Sequence, residues 1–232
     1  MKKVKTAMTK VNTVLIASGS GTDANAIMQA FSDGLIPNIN LTALVSTKRH
    51  AGCLEKAKAL SIPTMIIDRE EVGSTEEFNR LLTIFLDPKV RKLVFLVGCI
   101  EKINPIKGIK IYNIHPADPH QFGGKGMYGL KVHEMVIENI EDLISRGRKK
   151  IGDKFCTFPT VHEALLEYDS GKPLLRTSVE IPKHLIKAKV KGLLTLTEAA
   201  ERLQKVVLTY EWLMLPLAVR VAAQQILDAQ II

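Results

Sequence analysis

Asn113 and His115 are separated only by Ile114, and Pro116 follows at once. On a strand, an amide donor and an imidazole two residues apart share one face. Such a pair can stabilise an oxyanion forming on a carbonyl and carry a proton near neutral pH. Pro116 cannot donate to a ladder, so it ends the strand and leaves both side chains at a carboxyl edge, where open α/β sheets bind ligands. A glycine-rich stretch with Gly123, Gly124, Gly126 and Gly129 comes next and can bring backbone close to a ligand. The same residues also fit a structural histidine at a strand end followed by a surface turn.

A second group begins at Gly19. Gly19-Ser20-Gly21-Thr22-Asp23-Ala24 fits the relaxed dinucleotide pattern G-x-G-x-x-A, between an apolar run (Val14 to Ala17) and a helical pattern. A helix N-terminus there offers free N–H groups and a positive dipole end, which is an anion site. The acidic residue that would hold a ribose after the second strand is replaced by Thr47-Lys48-Arg49. Three readings stay open: a phosphate site of some kind, an NADP site, or a plain tight turn. A third group joins Thr160-Val161-His162 to Tyr168-Asp169-Ser170-Gly171. By themselves, an Asp in a glycine turn is a turn former and a His in a strand is structural.

Alternating strands and helices must position these groups. Asn12 to Ala17, Leu41 to Ser46, Thr64 to Ile67, Leu93 to Val97 and Ile109 to Ile114 read as buried strands. Helices are expected over Ala24 to Phe31, Ala51 to Leu60 and Ser74 to Leu86, the last opened by a Ser74–Glu77 capping box, and over Leu130 to Ile144. The alternation predicts an α/β fold with a doubly wound, mostly parallel, Rossmann-like sheet flanked by helices. Farther on, Ser145 to Lys154 reads as an exposed basic loop. Phe155 to Leu166 and Pro173 to Ile181 read as strands around a turn. The tail from Leu194 reads as a helix that Pro216 ends or kinks.

With 232 residues, 46% of them hydrophobic, the chain can bury one sizeable core, and a single domain is expected. The longest uninterrupted apolar run, Leu93 to Val97, is too short to span a bilayer, so no membrane segment is expected. The basic start, Met1-Lys2-Lys3-Val4-Lys5, lacks a signal-peptide core behind it, and a cytoplasmic location follows as an expectation. Cys53, Cys99 and Cys156 are odd in number and widely spaced, which speaks against a disulfide framework or a metal site. The net charge of +8 is scattered apart from Arg146 to Lys154, and aromatic residues are only 5%. A preference for anionic small molecules explains that charge as well as nucleic-acid binding does.

Together, and in one order over about residues 11–220, these segments resemble the folate-dependent formyltransferases. The resemblance rests on Ser18 to Thr22, Ser46 to Lys48, Asn113 to Pro116, Gly123 to Gly129 leading to Val132-His133, Thr160 to His162, Tyr168 to Gly171, and Glu211 with Pro216. The stretch Gly124-Lys125-Gly126-Met127-Tyr128-Gly129 is similar to the branch that formylates glycinamide ribonucleotide. The resemblance implies a formyltransferase fold over residues 1–232, with a leader (1–10), a nucleotide-binding half (11–120) and a folate and catalytic half (121–232). It implies transfer of a formyl group from 10-formyltetrahydrofolate to the amine of glycinamide ribonucleotide in purine synthesis, without a metal. Asn113 and protonated His115 would stabilise the oxyanion, and Asp169 would raise the His115 pKa. Gly19, Ser20, Gly21, Thr22 and Asp23 would hold the substrate phosphate and Glu211 the ribose. Cys99, Ile100, Glu101, Lys102, Ile103 and His162 would line the folate side. Other amine substrates, such as an amino-sugar nucleotide, and a non-catalytic relative binding a nucleotide metabolite are the alternatives. The expected partners are small molecules rather than nucleic acid or membrane, with the chain a monomer or homodimer. The chain departs from the family pattern at Asp23, where relatives usually carry Asn, and at Glu101, where Arg is frequent.

Overall fold

The structure is a computed structural model and describes residues 10–230. Apart from Lys10, the expected leader lies outside the described residues. The chain opens with β1 (Val11–Ala17), α1 (Thr22–Ser32), β2 (Ile39–Ser46), α2 (Gly52–Ala59) and β3 (Thr64–Ile66). It continues with α3 (Arg69–Val72), α4 (Thr75–Leu86), β4 (Leu93–Leu96) and β5 (Lys110–His115). The second half contains α5 (Pro119–Phe122), α6 (Leu130–Ser145), β6 (Cys156–Thr157), β7 (Thr160–Glu163), β8 (Pro173–Arg176), β9 (Val179–Glu180), α7 (Lys183–Val190) and α8 (Leu196–Asp228).

Seven strands form one sheet in the order β3-β2-β1-β4-β5-β7-β8. The pairings from β3 to β5 are parallel, whereas β7 and β8 run antiparallel. The strands alternate between two covered faces, as their period of two requires. Leu15 and Ala17 of β1 join a core built with α1 and α8, while Val14 and Ile16 pack beneath Phe78, Leu82 and Leu86 of α4. Those three α4 side chains are fully buried, and each contributes about 1.5–3 kcal/mol by leaving water. A further apolar cluster joins α6, α7 and α8 through Val136, Leu185 and Leu203. The expected doubly wound, mostly parallel α/β sheet is what the chain builds.

Several local expectations need correction. The strand expected over Phe155 to Leu166 divides at Phe158-Pro159, and the one over Pro173 to Ile181 divides at Thr177-Ser178. The outer pieces, β6 and β9, pair as a separate two-stranded ribbon. Pro159 has no N–H for a ladder, which is reason enough for the break. At Ser74 half of the capping box forms: its hydroxyl accepts from the Glu77 N–H, but the Glu77 carboxylate pairs with Arg80 at 2.6 Å. The complete box opens α8, where Thr195 and Glu198 cap each other. Pro216 does not end α8, which continues to Asp228. This helix is long and apolar enough to cross a membrane by length and composition alone, a test that a buried core helix also passes. Its buried stripe, including Ala199, Leu203, Val207, Leu215, Ala218 and Ala222, packs within the protein core.

Candidate active site

The strand order reverses direction between β1 and β4, and this switch point opens a crevice beyond the carboxyl ends of the strands. Ser18, at the end of β1, ties that edge together. Its hydroxyl accepts from the Ile100 N–H at 3.1 Å and from the Thr47 hydroxyl at 2.7 Å, so the ends of β1, β2 and β4 are fixed to one another. Gly21 then turns the chain into α1 with φ 71°, and a Cβ there would stand 2.4 Å from that of Cys53. Only glycine meets both demands. No side chain caps α1, so its first N–H groups are left free at the edge of the crevice.

A cavity of about 580 Å³ occupies the crevice. Gly19, Ser20, Gly21, Thr22 and Asp23 line it from α1, and Cys99, Ile100, Glu101, Lys102 and Ile103 from the loop after β4. Asn113 and His115 reach it from β5, His162 from β7, Asp169 from the turn before β8, and Glu211 from α8. The structure therefore brings every residue given a catalytic, phosphate, ribose or folate role to one cavity, including Asp169 and Glu211, which are remote from the others in the chain, whereas Ser46 to Lys48, Gly123 and Thr160 do not line it. Its volume suits a small organic ligand.

Antiparallel pairing of β5 with β7 sets Asn113 opposite His162, and their side chains approach to 3.5 Å between Asn113 Nδ2 and His162 Nε2. His162 Nδ1 lies 2.8 Å from the Glu163 carbonyl, to which it donates, and this bond fixes the ring with Nε2 toward Asn113 and Asp169. Asp169 sits in a left-handed turn at φ 54° and turns its carboxylate inward. Its Oδ1 lies 3.4 Å from His162 Nε2 and 3.8 Å from His115 Nδ1, while Oδ2 accepts from the Gly124 N–H at 2.8 Å. Gly123 makes room: a Cβ there would meet the Pro119 carbonyl at 2.2 Å and Asp169 Cβ at 2.8 Å.

Residues 11–200 match the family described as Formyl transferase. The chain belongs to that family. It is 31% identical over 176 residues to an Arabidopsis thaliana protein named phosphoribosylglycinamide formyltransferase, chloroplastic, a match covering 72% of this chain and 54% of that protein. The formyltransferase chain thus spans about half the length of the curated plant relatives it matches, 54% and 50%. Its fold superposes on glycinamide ribonucleotide transformylase 1 from Symbiobacterium toebii with a TM-score of 0.73 at 23% identity, covering 93% and 89% of the two chains. With a phosphoribosylglycinamide formyltransferase from Brucella melitensis the TM-score is 0.67 at 25% identity, covering 92% and 96%.

The electrostatics of the formyltransferase site correct one expectation. Burial pushes His115 below the ordinary histidine range, outweighing the opposing pull of the Asp169 charge and the Phe122 carbonyl. His115 is therefore neutral at pH 7 rather than protonated. Its Nε2 lies 3.1 Å from the Phe122 carbonyl and must be the N–H donor there, which leaves the Nδ1 lone pair facing Asp169. Burial alone would raise Asp169, but the His162 ring, the Gly124 N–H and the nearby imidazoles together hold it below the usual carboxylate range. Asp169 is the anion of the cluster.

His133, Gln204 and Leu208 also line the cavity but received no role from the sequence. Gln204, Leu208 and Glu211 are spaced i, i+4, i+7, so the helical period through Glu211 would have found the other two. His133 is 2% exposed, with Nδ1 buried and unpartnered. Burial, reinforced by the neighbouring His115, lowers its pKa to about 4. Glu101, standing where relatives often carry Arg, faces Arg69 at 3.8 Å. Cys99 is half-buried, and burial pushes its thiol up to about 11, so it is no nucleophile.

Proposed function

We propose that this formyltransferase moves a formyl group from 10-formyltetrahydrofolate to the primary amine of glycinamide ribonucleotide, a step of purine synthesis. The observation that carries this reading is one cavity holding both a helix-terminal anion turn and the cluster of Asn113, His115, His162 and Asp169. The printed names of its relatives point to the same substrate. The walls also suit a flat folate ring, with Val97, Ile100, Ile103 and Leu165 offering apolar surface beyond β4 and β7.

10-Formyltetrahydrofolate supplies a formyl carbon whose oxygen becomes negative as the amine attacks. Asn113 offers an amide N–H to that oxygen, and a donor placed this way lowers the barrier by about 3–4 kcal/mol. The attacking nitrogen must also lose a proton. His115 is built to accept it: Nε2–H is already committed to Phe122, and Nδ1 carries the lone pair. Once protonated at Nδ1, the ring is a cation between the Phe122 carbonyl and the Asp169 carboxylate, both of which favour that charge. As the oxyanion collapses, the bond from the formyl carbon to folate N10 breaks, N10 takes this proton, and neutral His115 and tetrahydrofolate are left.

An assay with 10-formyltetrahydrofolate and three amines, glycinamide ribonucleotide, an amino-sugar nucleotide and methionyl-tRNA, tests the proposal. Turnover with glycinamide ribonucleotide well above the others is expected. Preference for another amine would overturn the substrate, and no formyl transfer to any would overturn the activity.

A further inference from the structure

The anion end of the cavity contains two carboxyl groups, one from α1 and one from α8. Asp23 stands in the first turn of α1, directly after the Gly19–Thr22 turn, with Oδ1 buried and unpartnered. Glu211 lies on the buried stripe of α8, is 4% exposed and lines the same cavity. Among the described residues, no ion pair includes Asp23 or Glu211. The neighbour that contributes to Asp23 is the Trp212 indole, a neutral donor.

Two carboxylates facing one confined space cannot both ionise readily. Burial pushes Asp23 up to about 6, and burial together with the Asp23 charge holds Glu211 well above the carboxylate range. Other titratable groups reach this cavity or border its anion turn. Cys53 of α2 packs behind Gly21, Cys99, Glu101 and Lys102 follow β4, His115 lies on β5 and His133 on α6; Lys125 and Tyr128 of the glycine-rich loop, His162 of β7, and Glu167, Tyr168 and Asp169 of the turn before β8 line the same cavity. Burial raises the Cys53 and Cys99 thiols and lowers His115 and His133, moving each of the four away from neutral pH. Glu101 faces Arg69, and the Lys102 ammonium lies over the Tyr168 ring. A phosphomonoester seated on the α1 N-terminus brings a charge of about −1.5 to −2 beside the two acids. That charge is compatible with the pair only if a proton is retained or gained.

We propose that Asp23 and Glu211 act as a single-proton carboxyl pair that takes up a proton when a phosphomonoester ligand binds at the Gly19–Thr22 turn, the protonated acid then donating a hydrogen bond to a ligand oxygen. The pair thereby determines which charge state of the complex is stable. The inference rests on the substrate reading above and extends it to the protonation state of the bound complex.

Calorimetric titration of the whole chain with glycinamide ribonucleotide, in buffers of differing ionisation enthalpy between about pH 6.5 and 8, counts the protons exchanged. The wild type should take up a substantial fraction of one proton more than Asp23→Asn or Glu211→Gln does. Its affinity should strengthen as pH falls with a slope steeper than either variant's, by up to about tenfold per pH unit for a full proton. Comparison with the variants cancels protons exchanged by the ligand's own phosphate and amine. Binding with the same proton count in all three proteins would overturn this inference and leave the substrate reading standing. Absence of binding to the wild type across the range would overturn both.

Discussion

At the residue scale, the proposed chemistry gives each polar atom of the Asn113, His115, His162 and Asp169 cluster a distinct task. Replacing Asn113 by Ala removes a donor that the proposed chemistry needs most in the transition state. The kcat should fall by about a hundredfold or more with KM little changed. Near-normal turnover in steady-state assays would remove Asn113 from the mechanism. In the proposed chemistry His115 is a base only while neutral, so kcat/KM should fall on the acid side with an apparent pKa below 6.5. Asp169 pulls that pKa upward, and Asp169→Asn should therefore move the acid limb to still lower pH while reducing the rate, because the His115 cation loses its partner. NMR titration of the His115 ring in both proteins measures the shift directly. An unmoved titration with an unchanged rate would make Asp169 a turn residue.

Elements place these atoms by fixing the carboxyl edge of the sheet. Ser18 is 5% exposed and joins three strand ends through one hydroxyl. Ser18→Ala leaves the Ile100 N–H without that acceptor, at a cost of about 1–3 kcal/mol. The turn leading to α1 also loses its anchor, so KM for the phosphate-bearing substrate should rise more than kcat falls. A variant with unchanged urea midpoint and unchanged KM would show the tie to be dispensable. At the far end of the chain, the reciprocal Thr195–Glu198 cap holds the start of α8, whose stripe carries Glu211 about four turns later. Thr195→Ala should cost about 1 kcal/mol in urea unfolding, and retained stability would show that packing alone sets the start of the helix.

For the whole molecule, pH acts on buried groups in opposite directions. His133 binds its proton at about 4 when folded and at 6.5 when unfolded. Between these values the unfolded chain holds a proton that the folded chain lacks, so this stability is complete above pH 6.5 and is lost as pH falls toward about 4. The full loss is about 3 kcal/mol for a group this deeply buried. Asp23 opposes it: its folded pKa of about 6 exceeds the ordinary 3.8, so its contribution to folding improves as pH falls through that interval. Chemical denaturation of the wild type and His133→Leu at pH 7 and pH 5 separates the two. The variant should lose less stability on acidification; an equal loss in both would show that His133 is not the acid-sensitive group.

Local features of this protein follow from the order of its residues alone. The continuous apolar runs of β1 and β4 mark strands covered on both faces, and the strand–glycine–helix order at Gly19 marks a turn into an uncapped helix N-terminus. Asn113 and His115 share a strand face by spacing alone, and the family resemblance identified Asp169 and Glu211. Tertiary structure decided the rest, because the outcome depends on groups distant in sequence. Pairing of β5 with β7 brought His162 to Asn113, and burial outweighed Asp169 to leave His115 neutral. The division of the later strands depended on partners as well as on Pro159, since β6 and β9 chose each other while β7 and β8 joined the main sheet. Packing also carried α8 past Pro216: one missing N–H costs about 3 kcal/mol, and the buried surface on either side of it is large enough to outweigh that loss.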